Sequence, residues 1–177
     1  MIRFRDALKA DRCLIYNGAT GTLLQRRGLP PGVSPERFAL DNPEAIQAVH
    51  RDYLEAGAEI ITANTFGGTR FKLGEEITGL SVRAFNRRMA ELARHVAGDK
   101  AWVAGSVGPT GQFLRPLGEL EPADLVAAFV EQIEGLVEGG VDLLMAETHF
   151  DLAEARAVVL AARKVCDLPV GISMTFQ

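Results

Sequence analysis

Residues 142–151 read DLLMAETHFD. An unbroken apolar run, LLMA, carries a carboxylate, Glu147, directly behind it. Continuous rather than alternating hydrophobicity marks a strand covered on both faces, and such strands build parallel sheets. Four further runs share that character: CLIY (13–16), EIIT (59–62), WVAGSV (102–107) and PVGISMTF (169–176). Helical patterns separate most of them. The first starts at Asn42 as cap with Pro43 at the first helical position, carries Ile46, Val49 and Tyr53 on one face, and stops at Gly57. The second begins near Ser81 and sets Phe85, Met89, Leu92 and Val96 at helical spacing before Gly98. The third runs from about Pro122 through Leu125, Phe129, Ile133 and Leu136 to Gly139 and Gly140. The fourth opens with Asp151 and Glu154 at capping-box spacing and is expected to bury Leu152, Ala155, Val159 and Ala162.

The order is therefore β-α-β-α-β-α-β-α-β, an α/β chain of five strands and four helices. Two architectures accommodate it, a doubly wound flavodoxin-like sheet and part of a (β/α)8 barrel. A complete barrel takes roughly 250 residues, whereas this chain has 177 and ends just past a strand. An apolar strand left with an uncovered edge invites aggregation, so the ending reads as a cut through a barrel, with residues 1–177 forming one partial domain. Strand order separates the two architectures, because a barrel arc runs 1-2-3-4-5 and a flavodoxin-like sheet 2-1-3-4-5.

Composition narrows the function classes. The formal net charge is −4, with 47% hydrophobic and 24% charged residues, and no Lys/Arg cluster interleaved with aromatics, so the footprint of nucleic-acid binding is missing. Cys13 and Cys166 stand far apart and form no metal-spaced pair, which fits a reducing compartment. No stretch has the length of a secretory signal or a membrane span. A cytoplasmic protein with a small-molecule partner is expected.

The unusual residues fall where strands end. NGATGT (17–22), ANTFGG (63–68), GSVGPTG (105–111) and ETHFD (147–151) each follow a strand, the position at which such folds bind ligands. Any one of these loops alone reads as a turn; four in register read as a site. Glu147 leaves a buried strand toward the mouth of the sheet, where a carboxylate needs a cation. A substrate ammonium would serve, as would an internal partner such as Arg70 or Arg115. Glu147, His149 and Asp151, spaced by two, also form a metal-ligand pattern on one face of an extended segment, although Asp151 is better used as a helix cap and His149 as a loop residue. His50 and His95 fall within helices, in structural or exposed places. No phosphate loop, dinucleotide fingerprint or nucleophile elbow is present. Bare amides at Gly21 and Thr22 suit a small carboxylate. With Glu147 opposite, the site has ends for a carboxylate and an ammonium, which together describe an α-amino acid.

Five stretches in order, NGATGTLLQRRG, EAGAEIITANTFGGTRFKL, VAGSVGPTGQFLRPLGEL, EGGVDLLMAETHFDLAEARAVVLAAR and PVGISMTF, resemble the homocysteine S-methyltransferase family, and within it the N-terminal homocysteine-binding domain of cobalamin-dependent methionine synthases. The resemblance implies a (β/α)8 barrel that binds homocysteine, ligates its sulfur to zinc as the thiolate, and presents it to a methyl donor or its carrier domain to give methionine. It further implies that the amides of Gly21 and Thr22 hold the homocysteine carboxylate, that Glu147 holds its ammonium, and that Phe66 packs on its side chain. Asn17 replaces the aspartate of the family's D-G-[AG]-x-G-T opening, which removes a negative charge near the ammonium. The family's zinc-ligand cysteines follow strands six and eight; Cys13 and Cys166 do not match them. This chain is therefore expected to lack the zinc ligands and to be inactive alone, with methylcobalamin, if used, on other domains of a longer parent. S-methylmethionine and betaine stay open as donors. A non-catalytic flavodoxin-like ligand-binding domain is the rival, and an assembly fragment that self-associates through its uncovered edge is a second.

Overall fold

A computed structural model of the chain describes residues 2–74 and 79–176. Among these, four strands form one parallel sheet in the order β1-β2-β3-β4, with β1 at Ile60–Ala63, β2 at Trp102–Val107, β3 at Leu143–His149 and β4 at Val170–Met174. The expected first strand is a correction. CLIY does not form a ladder; only Tyr16 bridges, in parallel, to Ile60. Its backbone still follows the edge of β1, since Glu59 N and Ile60 N donate to Ile15 O at 2.8 and 3.1 Å and Asn17 N donates to Ile60 O at 2.9 Å. With that segment counted, the order in space is consecutive. This is the order of a barrel arc and not that of a flavodoxin-like sheet.

The helices are α1 (Phe4–Ala7), α2 (Thr20–Arg26), α3 (Pro35–Asp41), α4 (Pro43–Glu55), α5 (Arg70–Leu73), α6 (Val82–Ala97), α7 (Pro122–Glu138) and α8 (Leu152–Val165). The four long ones are those legible in the apolar spacing, and the short ones add to the expected count. Ser81 caps α6 by accepting from Ala84 N at 3.2 Å. Asn42 is the N-cap residue of α4 as expected, but its side chain makes no capping bond; it donates back to Phe38 O at 3.1 Å, at the end of α3.

Three clusters place the core. Trp102, Ala104, Ile60 and Leu143 face inward and pack on Phe4 and Ala7 of α1, with Phe4 edge-on to Trp102 at 5.6 Å. Alternate residues of the same strands, Ile61, Val103, Val107, Leu144 and Ala146, face outward onto Phe129, Ile133 and Leu136 of α7 and the alanines of α6 and α8. A third cluster joins α2, α4 and α6 through Leu24, Ile46, Val49, Phe85 and Met89. Removing a ring such as Phe129 from a site this full would cost about 3 to 5 kcal/mol.

Two expectations about buried faces fail. In α8, Ala155 and Ala162 are buried as expected but Leu152 is 74% exposed, and the helix gives Ala157, Val158, Ala161 and Ala162 to the core. Val159 is only half-buried, one position off that stripe. The apolar run of β4 predicts cover on both faces, yet its residues are half-buried and Ile172 is exposed, because β3 is its only strand neighbour among the described residues.

Candidate functional site

Strands that end together leave their last inward side chains around one hollow. A cavity of about 780 Å³ opens there, lined by Asn17, Gly21, Thr62, Phe66, Ser106 and Glu147 among others. Four of the five residues singled out as substrate contacts thus come together. The fifth, Thr22, is exposed and its side chain does not line the cavity. The NGATGT stretch is half loop and half helix. Thr20, Gly21 and Thr22 form the first turn of α2, whose preceding residue, Ala19, has no side-chain oxygen to cap it. First-turn amides have no intrahelical acceptor, so these donors stay available. A methyl group added at Gly21 would meet nothing within 4 Å, which leaves open space beside them.

Glu147 stands across the cavity near the end of β3. Both internal cations that could have paired with it are engaged elsewhere, Arg70 with Glu131 and Arg115 with Glu121, each at 2.9 Å. Burial pushes the Glu147 carboxyl above the ordinary carboxylate range, and the Ser106 hydroxyl that it faces offsets part of that rise. Burial likewise pushes the Tyr16 phenol upward; Thr62 works against the shift and the Glu147 charge adds to it. Asn17 is tied to its neighbours: its Oδ1 accepts the Thr62 hydroxyl at 2.7 Å and its Nδ2 donates to Gly18 O at 3.1 Å.

The tip of β3 departs from a regular strand. Thr148 has φ 61°, a left-handed conformation costly for a β-branched residue, about 1 to 3 kcal/mol, and the pairing with β4 shifts register between Ala146 and His149. Thr148 N donates to Ser173 Oγ at 2.8 Å. Glu147 and Thr148 consequently both line the cavity, while His149 turns to the helix side. His149 is therefore no loop residue. Its ring is fully buried, edge-on to Phe129, with Nε2 3.1 Å from Val107 O and Nδ1 3.6 Å from Glu154. Glu154 does not complete a capping box. Its carboxylate accepts from Thr110 N and Thr110 Oγ1 at 2.7 and 2.6 Å. Burial pushes this carboxyl up, but His149 and the two Thr110 donors outweigh it and hold the pKa below the ordinary range. Asp151 caps α8 by accepting from Ala153 N at 2.8 Å. Glu147, His149 and Asp151 thus face different ways, and among the described residues no group of three His, Cys, Asp or Glu could hold a metal ion.

Phe66 is set by residues that spacing alone did not reveal. Gln132 of α7 donates to Thr65 O and Ser106 O at 2.8 and 3.2 Å, and Asn86 of α6 donates to Gly68 O at 2.8 Å. Glu36 accepts from Gly67 N at 2.6 Å. Gly108 N donates to Phe66 O at 3.1 Å, and a side chain at Gly108 would sit 2.5 Å from that oxygen and 2.7 Å from the ring. Lys72 Nζ lies 5.0 Å above the ring centre. The available signal was two amides, Asn86 and Gln132, lying directly beside Phe85 and Ile133 on the core-facing stripes of long helices, where an uncompensated polar group is costly. Of the other histidines, His50 is buried with neither ring nitrogen partnered among the described residues, and burial first, then Arg51, lowers its pKa to about 4. His95 is exposed.

The profile of the homocysteine S-methyltransferase family matches residues 14–177. The chain belongs to that family. It is 33% identical to the methionine synthase of Mycobacterium leprae (strain TN) over 95% of this chain and 15% of the relative. The methionine synthase of Mycobacterium tuberculosis (strain ATCC 25618 / H37Rv) is likewise 33% identical, over 88% of this chain and 14% of the relative. Among solved structures, the homocysteine methyltransferase MmuM from Escherichia coli superposes in its metallated form with a TM-score of 0.82 at 27% identity, over 98% of this chain and 66% of that one. Its apo form gives 0.75 at 26% identity, over 98% and 62%. The chain thus spans a small part of the methionine synthases and less than two thirds of MmuM. No described helix is long and apolar enough to cross a membrane.

Proposed function

We propose that this chain forms the homocysteine-binding part of a homocysteine S-methyltransferase barrel of the methionine synthase kind. The observation that carries the reading is the opposition, across one cavity, of the uncapped first turn of α2 and the buried carboxylate of Glu147, which makes no ion pair among the described residues. The α2 amides at Gly21 and Thr22 receive the homocysteine carboxylate, Glu147 its ammonium, and Phe66 its methylene chain. The sulfur is then the free end. In the full reaction it attacks the methyl carbon of a donor, a sulfur–carbon bond forms, and the donor's bond to that carbon breaks.

The family implies zinc on that sulfur, together with cobalamin chemistry in methionine synthases. The donors of this chain do not fit a zinc site: Cys13 is exposed, Cys166 ends α8 half-buried, and neither lines the cavity. No step is assigned to a metal here. The role of these residues is to bind and orient the amino acid, with activation and methyl donation supplied by parts of the parent protein beyond this chain. A cytoplasmic setting and self-association through the outer edge of β4 belong to the same reading.

Calorimetric titration of homocysteine into the chain and its Glu147→Gln variant tests the proposal. Loss of the charge should weaken binding by about 1.5 to 3 kcal/mol, the range for a charge-assisted hydrogen bond. Equal affinities would take Glu147 out of the ammonium role.

A further inference from the structure

Both ring nitrogens of His149 face acceptors. Nε2 lies 3.1 Å from Val107 O at the end of β2, and Nδ1 lies 3.6 Å from Glu154 Oε2 in the first turn of α8. A carbonyl oxygen only accepts, so Nε2 carries a hydrogen, and a neutral imidazole would then turn the bare lone pair of Nδ1 toward the carboxylate. Water relieves neither group, since His149 is 0% and Glu154 3% exposed. A hydrogen on Nδ1 replaces that repulsion with a buried ion pair, the form in which a charge is tolerated inside a protein.

The surroundings favour an ionised carboxylate. Glu154 stands in the first turn of α8, where the helix attracts negative charge, and its other oxygen accepts from Thr110 N and Thr110 Oγ1 at 2.7 and 2.6 Å. Phe129 of α7 meets the imidazole edge-on with ring centres 6.4 Å apart, so β2, α7 and α8 each present one group to it, and Glu154 is the charged one. The backbone of His149 is tied as well, since Thr175 N donates to His149 O at 2.8 Å. The two residues before it, Glu147 and Thr148, line the cavity. The chain thus leaves the cavity wall and is anchored at the very next residue.

We propose that His149 is an imidazolium, with hydrogen on both nitrogens, and that its buried ion pair with Glu154 is a positioning device for the tip of β3. The pair clamps the residue after Thr148 to β2 and α8, and so fixes where Glu147 and Thr148 enter the cavity. Through Thr110 the same carboxylate holds the loop that follows β2, so one charge pair sets two neighbouring strand ends. His149 and Glu154 act through other residues and touch no ligand themselves. The consequence for Glu147 rests on the amino-acid reading above; the ion pair does not.

The test reads the protonation state first and the clamp second. Nitrogen NMR spectra of the wild-type chain at neutral pH, with His149 assigned by its loss in His149→Gln, should show hydrogen on both of its ring nitrogens. A single N–H overturns the proposal. In the wild-type chain, amide hydrogen exchange at Thr148 and Thr175 should quicken relative to the Ala104 amide of β2 as rising pH takes the second proton from His149. Glu154→Gln keeps an oxygen for Thr110 and removes the charge; exchange at the same two amides should rise about tenfold or more, the effect of losing a hydrogen bond to a charged group. Tip amides that keep pace with Ala104 through the wild-type titration overturn the clamp, whether or not the variant folds. Homocysteine should also bind Glu154→Gln more weakly than wild type. Equal affinities beside a loosened tip overturn the role given to Glu147 and leave the ion pair standing.

Discussion

The Thr62 hydroxyl donates to Asn17 Oδ1 at 2.7 Å, across the gap between the segment before α2 and strand β1. This bond takes one of the two lone pairs on Asn17 Oδ1, the residue's one side-chain acceptor atom. An aspartate there would keep the Thr62 bond on one oxygen and offer the second to a ligand. Asn17→Asp should therefore tighten homocysteine binding severalfold despite losing the amide's bond to Gly18 O. Side-by-side calorimetry checks this, and weaker binding would show that added negative charge in the cavity is not matched by the ligand.

Glu147 makes a stability prediction opposite in sign to its binding role. Burial raises its pKa above the unfolded value, so its contribution is favourable while it is protonated and is lost as pH rises through the folded pKa. At neutral pH the free protein holds the costly ionised form. Glu147→Gln should raise the melting temperature of the ligand-free chain at pH 7, and the gain should shrink toward pH 4. A lower melting temperature at pH 7 would mean that the carboxylate is held by a cation.

Two glycines at the cavity separate crowding from access. Gly108→Ala forces a carbon to 2.5 Å from Phe66 O, and overpacking of this kind costs about 1 to 3 kcal/mol. Gly21→Ala meets nothing within 4 Å and gains up to about 1 kcal/mol of helix propensity. Denaturant melts should show the first variant destabilised and the second unchanged or more stable. If a carboxylate docks on the α2 amides, Gly21→Ala should nevertheless bind homocysteine more weakly.

His50 predicts an acid-sensitive fold. Its folded pKa, about 4, lies below the ordinary value of 6.5, so the unfolded chain binds the extra proton first as pH falls. The favourable contribution is complete above about pH 6.5 and is lost between there and pH 4, on the order of 3 kcal/mol in all. His50→Phe should flatten the dependence of unfolding free energy on pH across that window. An unchanged slope would show that His50 is not buried in its neutral form.

Legibility followed the physical size of each signal. β2 was readable to the residue because all six of its positions are buried, and the stripes of α6 and α7 because large side chains recur along them. CLIY misled since hydrophobic content alone does not count ladder bonds, and Ile15 is in fact exposed. The face of α8 was misjudged because alanines carry little hydrophobic weight and Leu152 outweighed them. In the site, Glu147 could be found from its position behind an apolar run, whereas Phe66 came only from the family resemblance. Asn86, Gln132 and Glu36 could not be assigned to Phe66, since their partners lie 18 to 67 residues away in the chain.

β3 changes parity at Thr148. Before it, odd-numbered residues such as Leu143 and Met145 look inward; after it His149, also odd, looks outward. A strand built this way stores part of its meaning in its length. Deleting Thr148 would leave Glu147 inward and the imidazole outward in plain alternation, so the extra residue adds one side chain to the cavity wall without disturbing either neighbour. Variation by insertion and deletion at this tip is thus as direct a route to a new pocket as substitution of Glu147.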